Sequence, residues 1–311
     1  MSRKYLISNE GNWYKANMHC HTTVSDGKYT PAEIKELYKS HGYSIVAFSD
    51  HDILVPHPDL KDDEFLPITA IEPGVAYDVT EWRKQAYHLN FYSKDENRDY
   101  LFDYEKIHTV ENVNAIIAKG NAEGFLVQYN HPRWSQHESG SFTELKGLWG
   151  FEIFNTGCEV EYANGYGDEE YNQIMRRDQS VVPVAGDDNH NWTDYDGPYS
   201  DSFGGFTMIK AKDLKYDTVI NAMIDGQLYA STGPIIKSLY VENGEIHVET
   251  EPCCAVILRA QNRYHKAIRA LDDSLTHSVF EIKDEYAFVR FEVIDTHNNK
   301  AITKAYLKSE L

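Results

Sequence analysis

The chain has 311 residues, 41% of them hydrophobic and 25% charged, enough for one large core with a smaller companion, since single cores stop growing near ~250–300 residues. Thirty basic residues against 49 acidic ones leave a net charge of −19, which opposes broad contact with a nucleic-acid backbone and argues against long DNA or RNA as a partner. No run approaches the ~20 consecutive apolar residues of a membrane span. The opening MSRKYLISNEGNWY lacks the apolar stretch and small-residue cleavage site of a secretory signal, so the expectation is a cytoplasmic protein away from membranes. Cys20, Cys158, Cys253 and Cys254 form no CxxC unit and no disulfide framework.

In chain order, Thr30-Pro31-Ala32-Glu33 reads as N-cap, helical first position and capping box, with Gly42 as the stop. The apolar run Ile45 to Phe48 follows as a strand. Further strand-like runs come at Leu66 to Ile71, Tyr87 to Tyr92, Phe125 to Tyr129, Trp149 to Phe154 and Val181 to Ala185. Helices are predicted between several of them, at Val110 to Ala122, Glu169 to Arg177 and Asp213 to Asp225. Such alternation predicts an α/β fold on a parallel sheet, either barrel or doubly wound. After Gly233-Pro234 the pattern changes to short alternating strands with turn signals such as Asn243-Gly244 and Asn298-Asn299. The expected division is therefore residues 1–234 as an α/β body and 235–311 as a small all-β, sandwich-like domain.

The histidines and acids fall at strand ends. His19 and His21 flank Cys20 at the end of the first strand and share a face, because strand side chains alternate with a period of two. Asp26 follows in the loop, Ser49-Asp50-His51-Asp52 ends the next strand, and Glu72 ends the third. Asn130-His131-Pro132 and Asp187-Asp188-Asn189-His190 end two later ones. Ligand sites in parallel α/β folds collect outside the carboxyl ends of the strands. His88, near the start of its own run, reads either as an inward-pointing ligand or as a buried histidine bonded to a backbone carbonyl. Imidazole with carboxylate and no thiolate suits Zn²⁺, Mn²⁺ or Fe²⁺. Six histidines and three carboxylates are too many for one ion and could furnish two or three, with a carboxylate such as Glu72 bridging.

The series HCH, Asp26, SDHD, Glu72, His88, NHP and DDNH, over about residues 12–234, resembles the PHP (polymerase and histidinol phosphatase) superfamily of metal-dependent phosphoesterases. The flanking Trp13 to Asn17 and Tyr229 to Pro234 are similar to its CehA/McbA-type metallohydrolase branch. The resemblance implies a distorted (β/α)7 barrel with up to three metals. It implies that His19, His21, Glu72 and Asp188 hold one ion, Glu72, His88 and His131 a second, and Asp26, His51 and His190 a third. Asp187 stands beside the implied ligand as an extra acid, and Ser49 replaces the usual threonine of that motif.

The function expected is hydrolysis of a small phosphate mono- or diester by a water that the metals activate. The alternatives are hydrolysis of a carboxyl ester, carbamate or amide, and a non-catalytic metal-binding module. Asp52 reads as general acid or as an orienting carboxylate, and Arg133 as a catalytic fork on substrate phosphate or a surface ion pair. Asn155 is read as a substrate-binding or turn residue, and Trp192 as a substrate wall or loop packing. Ser231-Thr232-Gly233-Pro234 is read as a turn, because no His-Asp pair outside the metal motifs follows it. The small β-domain leaves oligomerisation open.

Overall fold

The computed structural model describes residues 3–80, 84–261 and 263–311. Its first half reads β1 (Asn12–Cys20), α1 (Pro31–Ser40), β2 (Ile45–Phe48), β3 (Leu66–Ile71), β4 (Gly74–Val79), β5 (Lys84–Ser93), α2 (Val110–Ala122), β6 (Phe125–Tyr129) and β7 (Gly150–Asn155). Then come α3 (Thr156–Tyr162), α4 (Asp168–Met175), β8 (Val182–Gly186), β9 (Phe206–Ala211), α5 (Tyr216–Ile224) and β10 (Leu228–Ser231). The remainder is β11 (Ile236–Glu242), β12 (Glu245–Cys253), β13 (Ala255–Ala260), β14 (His265–Arg269), β15 (Leu275–Glu281), β16 (Phe288–Ile294) and β17 (Lys300–Thr303). The fold is mixed α/β, with one large sheet and few helices. Among the described residues no helix is long and apolar enough to cross a membrane, a statement that concerns helices alone.

The large sheet runs β14-β13-β16-β17-β10-β9-β1-β2-β3-β5-β6-β7-β8, with β4 paired to β5. The expectation of a parallel sheet holds for β1–β2–β3 and for β6–β7–β8. It fails between them, where β5 lies antiparallel to both β3 and β6. The cause is the short link after Glu72: a parallel return needs a crossover of about a dozen residues or more, and here the chain turns directly into the β4–β5 hairpin. The barrel expected from the resemblance is not closed by a ladder. Among the described residues β8 and β1 meet through one bridge, Cys20 with Asn189, and through backbone bonds from Asp188 N to His19 O (2.8 Å) and His21 N to Asn189 O (3.1 Å).

After Pro234 the described residues form strands and a short 3-10 turn at Lys308–Glu310. β11, β12 and β15 form a second sheet with Lys4–Tyr5, while β17 pairs with β10 and so continues the large sheet. Leu239, Val248, Val289 and Phe291 of these strands pack in one apolar cluster with Ile34, Tyr38 and Phe48 of the N-terminal half. Ser231 serves the turn before them, its Oγ accepting from Gly233 N at 3.0 Å and donating to Pro234 O at 2.7 Å.

Helix α1 begins where its capping box places it. Thr30 Oγ1 accepts from Glu33 N at 3.3 Å and the Glu33 carboxylate accepts from Thr30 N at 2.8 Å. The apolar face buries Ile34 and Tyr38, and Tyr38 reaches through to donate to Asp187 Oδ2 at 2.8 Å. A single cap is worth about 1 kcal/mol. Thr30→Ala should lower the free energy of unfolding by about that amount, read as a lower urea midpoint in circular dichroism with an unchanged slope.

Candidate metal centre

Strand alternation delivers the first ligand-type side chains. On β1, His19 projects to one face with His21 just beyond, and Cys20 turns the other way into the apolar cluster of Ile34, Tyr38 and Phe48. His51 and Glu72 follow the adjacent β2 and β3 and are paired in a parallel bridge. His88 lies in the middle of β5, opposite Gly74 in register. Because β5 runs antiparallel to its neighbours, its first half lies at their carboxyl ends, so a histidine early in its strand still reaches the common site. His131 follows β6, and Asp188 and His190 follow β8. The loop carrying Asp26 is held by buried Asp50, which accepts from Thr22 N at 2.7 Å and Ser25 Oγ at 2.8 Å.

Nine side chains named from the sequence thus gather in three groups around one carboxylate. In the first, His19 Nε2 lies 3.3 Å from Glu72 Oε2 and 3.1 Å from Asp188 Oδ1, and His21 Nε2 lies 3.4 and 2.9 Å from the same two oxygens. Donors placed ~2.0–2.1 Å from one Zn²⁺ in a tetrahedron stand about 3.3 Å apart, so this set fits a cation. In the second, Glu72 Oε1 is 3.2 Å from both His88 Nδ1 and His131 Nε2. The third joins Asp26, His51 and His190, and His21 stands with them as a fourth member. Here His190 Nε2 is 3.5 Å from Asp26 Oδ1, and His51 Nε2 is 3.9 Å from Asp26 Oδ2. Buried His19 Nε2, His21 Nδ1 and Glu72 Oε2 have no hydrogen-bond partner among the described residues. Polar atoms left so in an interior are costly, and a cation would satisfy them.

On His19, His190 and His88 the opposite ring nitrogen is held, which fixes the orientation of those imidazoles. His19 Nδ1 is 2.8 Å from Glu152 Oε1, and His190 Nδ1 donates to Asp188 O at 3.0 Å. His88 Nε2 lies 3.1 Å from Tyr77 Oη. Behind Glu72 stands a chain of buried amides: Gln128 Nε2 donates to Asn130 Oδ1 (2.9 Å), and Asn130 Nδ2 donates to Asn90 Oδ1 (3.0 Å) and Glu72 Oε1 (2.7 Å). Glu152, Gln128 and Asn90 were not singled out in the sequence. Their signal was there, as polar residues inside apolar strand runs, but a lone polar residue in a strand is ordinarily read as facing solvent.

Electrostatics follow from this packing. Burial alone would raise the Glu72 and Asp188 carboxyls, yet His19 and the other imidazoles hold both well below the usual range. Burial alone would lower His19 and His21, yet Asp188 and Glu72 outweigh it, raising His19 well above an ordinary histidine and His21 to about 9. His88 and His190 are shifted down, by burial first. Protons on His19 and His21 therefore stand where a cation would stand.

The remaining sequence candidates are placed as follows. Asp188 turns to the cluster with φ of 53°, whereas Asp187 turns away and accepts from Tyr38, Thr156 and the backbone of Phe203, Gly204 and Gly205. Trp192 lines the cavity over the cluster, its ring 4.9 Å from that of His190 and its Nε1 donating to Asp26 O at 2.8 Å. Asn155 is buried beneath: it caps α3 by accepting from Cys158 N and donates to Asp188 Oδ2 at 3.0 Å, so it positions a ligand-type carboxylate. Asp52 and Arg133 are not brought into the cavity lining. Asp52 faces Lys106 Nζ at 3.3 Å on the surface, and Arg133 Nε is tied to both carboxylate oxygens of Glu170. The cavity itself, about 310 Å³, has Trp134, Cys158, Glu161 and Tyr162 on its walls, none of which the motifs pointed to.

No family model and no curated protein matches the chain. Among solved structures, it is similar in fold to a two-domain protein from Bacteroides vulgatus containing a predicted PHP-like metal-dependent phosphoesterase. Identity is 13% over 98% of this chain and 100% of that one, with a TM-score of 0.51. Two weaker likenesses are a protein from Bifidobacterium adolescentis assigned as a metal-dependent phosphoesterase (13% identity, 70% of this chain and 96% of that one, TM-score 0.43) and an amidohydrolase from Chromobacterium violaceum (12%, 56% and 87%, 0.39).

Two outcomes are expected of the centre. Replacing Glu152 with Gln should weaken Zn²⁺ binding about 10–100-fold, the usual effect of removing a group that orients a metal ligand, as measured by competition with a fluorescent chelator. His21, raised to about 9, binds its proton below that pH, so a cation must expel it there. Apparent cation affinity should therefore rise as pH rises toward about 9, and calorimetry in buffers of different ionisation enthalpy should show proton release that shrinks over the same range.

Proposed function

We propose that this chain is a metal-dependent phosphoesterase that hydrolyses a small phosphate mono- or diester. The observation that carries the reading is the convergence of nine side chains in three groups that share Glu72 and His21: Asp26, His51, Glu72, His88, His131, Asp188 and His190 line one cavity, and His19 and His21 are buried with them. When bound, divalent cations supply Lewis acidity, lowering the pKa of water toward ~7 and neutralising phosphoryl oxygens. We take zinc, manganese or iron as the candidates, two or three per chain, from the imidazole-rich donor set.

The chain's own residues do the positioning. Glu72 presents one oxygen to His19, His21 and His51 and the other to His88 and His131, which keeps the groups in contact through a single rigid carboxylate. Glu152 and Asn155 hold His19 and Asp188 from behind. Three divalent cations against Asp26, Glu72 and Asp188 give +6 and −3, a locally positive floor for an anionic substrate inside an acidic protein. We further read the strands β1, β2, β3, β5, β6, β7 and β8 as the distorted barrel of the PHP superfamily, with the CehA/McbA-type branch and a cytoplasmic setting as the finer expectations.

A second reading, hydrolysis of a carboxyl ester, carbamate or amide, is favoured by one feature of the walls. Among the described residues that line the cavity there is no lysine or arginine, while Trp134, Tyr162 and Trp192 are aromatic and Glu161 is acidic. Such walls suit an uncharged or singly charged substrate better than a dianion. The two readings separate in parallel assays of metal-loaded protein on 4-nitrophenyl phosphate, bis(4-nitrophenyl) phosphate and 4-nitrophenyl acetate. The expected result is turnover of a phosphate ester that a chelator removes and added cation restores. In His19→Ala the loss should exceed the about 10–100-fold typical of a merely orienting residue. Tight cation binding with no turnover of any ester would defeat the enzymatic reading.

A further inference from the structure

Apart from these motifs, helix α4 faces strands β13 and β16 across a second cavity of about 170 Å³. Its lining includes Asn172 from α4, Arg176 at the C-terminal cap of that helix, Arg259 from β13 and Arg290 from β16, with Tyr264 at one side. The guanidinium of Arg290 is among the largest fully buried groups of the protein. Its Nη2 donates to Asn172 Oδ1, and its plane lies 5.4 Å from the Tyr171 ring. Nη1 stands 2.8 Å from Glu292 Oε1 without hydrogen-bond geometry, so that buried nitrogen has no hydrogen-bond acceptor among the described residues.

The same oxygen, Glu292 Oε1, also accepts from Arg259 Nε at 2.5 Å. Among the described residues Glu292 is the one carboxylate in ion-pair reach of either guanidinium. Two guanidinium groups thus share one close carboxylate at the wall of a cavity that Glu169 also lines, with Asp168 and Glu169 acting on Arg259 from farther off. A buried guanidinium nitrogen without an acceptor is expensive. Arg176, on the same cavity, has only a loose contact of 3.8 Å with exposed Glu169. Guanidinium groups are the usual forks for planar or tetrahedral oxyanions.

We propose that this cavity is a second binding site, separate from the histidine cluster, that takes an oxyanion: a phosphate group or a carboxylate on a small molecule. Arg259 and Arg290 supply the charge, Asn172 orients Arg290, and Tyr264 covers the organic part of the ligand.

The test uses the full chain, treated with EDTA so that metal-held phosphate does not contribute, and titrated calorimetrically with inorganic phosphate. Saturable binding of one phosphate per chain is expected, at least tenfold weaker in Arg259→Gln and tighter in Glu292→Gln, which removes the competing carboxylate. A merely structural ion pair would not produce that tightening. If Arg259→Gln fails to fold, Arg176→Gln, at the exposed C-terminal cap of α4, should weaken binding instead. Acetate competing with phosphate would support a general oxyanion site, and phosphate binding unaffected by acetate would support one selective for phosphate groups. Absence of saturable binding at millimolar phosphate, or equal affinity in wild type and the folded arginine variant, would overturn the proposal.

Discussion

A single buried carboxylate, Glu72, lies within 3.4 Å of ring nitrogens from His19, His21, His51, His88 and His131. Five imidazoles and an acid cannot be withdrawn from water without charges that answer one another. The surrounding structure serves that requirement. The amides of Gln128, Asn130 and Asn90 fix one Glu72 oxygen, Glu152 fixes the ring of His19, and Asn155 fixes Asp188. Even the antiparallel course of β5 has this effect, since it carries His88 to the rim where the parallel strands end. Protons or cations must complete the balance, and the pronounced rise in the pKa of His19 and His21 expresses the same demand.

Much of this was legible in the amino-acid sequence where short-range physics governs. The capping box of α1 is a local pattern and folds as one, and helix Val110–Ala122 has the expected bounds because its apolar spacing is unambiguous. The convergence of nine donor side chains was legible for a different reason, that strand ends in α/β folds share a rim. What was not legible depends on chain direction and on tertiary packing. Nothing local distinguishes a strand that returns antiparallel from one that crosses over, and β4, with Tyr77 bonded to His88, passed unread. Asp52 and Arg133 adjoin ligand-type residues in sequence, yet a positive φ at Asp52 and the pull of Glu170 on Arg133 turn them elsewhere. Adjacency in sequence is a poor guide just where the backbone bends most.

The walls and the floor of the main cavity make different electrostatic demands. The protein as a whole carries −19, and Glu161 and Asp201 add acid at the cavity itself. Over distances beyond a Debye length of ~8 Å at physiological salt that field is screened, so an anion is repelled only weakly until it nears the rim. Within the cavity the balance rests on the few charges in direct reach. This favours ligands whose charge is compact and whose remainder is apolar, since Trp134, Tyr162 and Trp192 offer ring faces rather than counter-charges.

The pairing of β10 with β17 has an architectural effect. β10 is bounded on one flank by β9 and on the other by the strand that comes almost last in the chain. A polypeptide cut short after Pro234 would leave Tyr229, Ala230 and Ser231 with a bare row of amides and carbonyls, an invitation to sticky self-association. The C-terminal strands are therefore a seal on the N-terminal half's exposed border as well as an appendage, and synthesis must run past Thr303 before that border is covered.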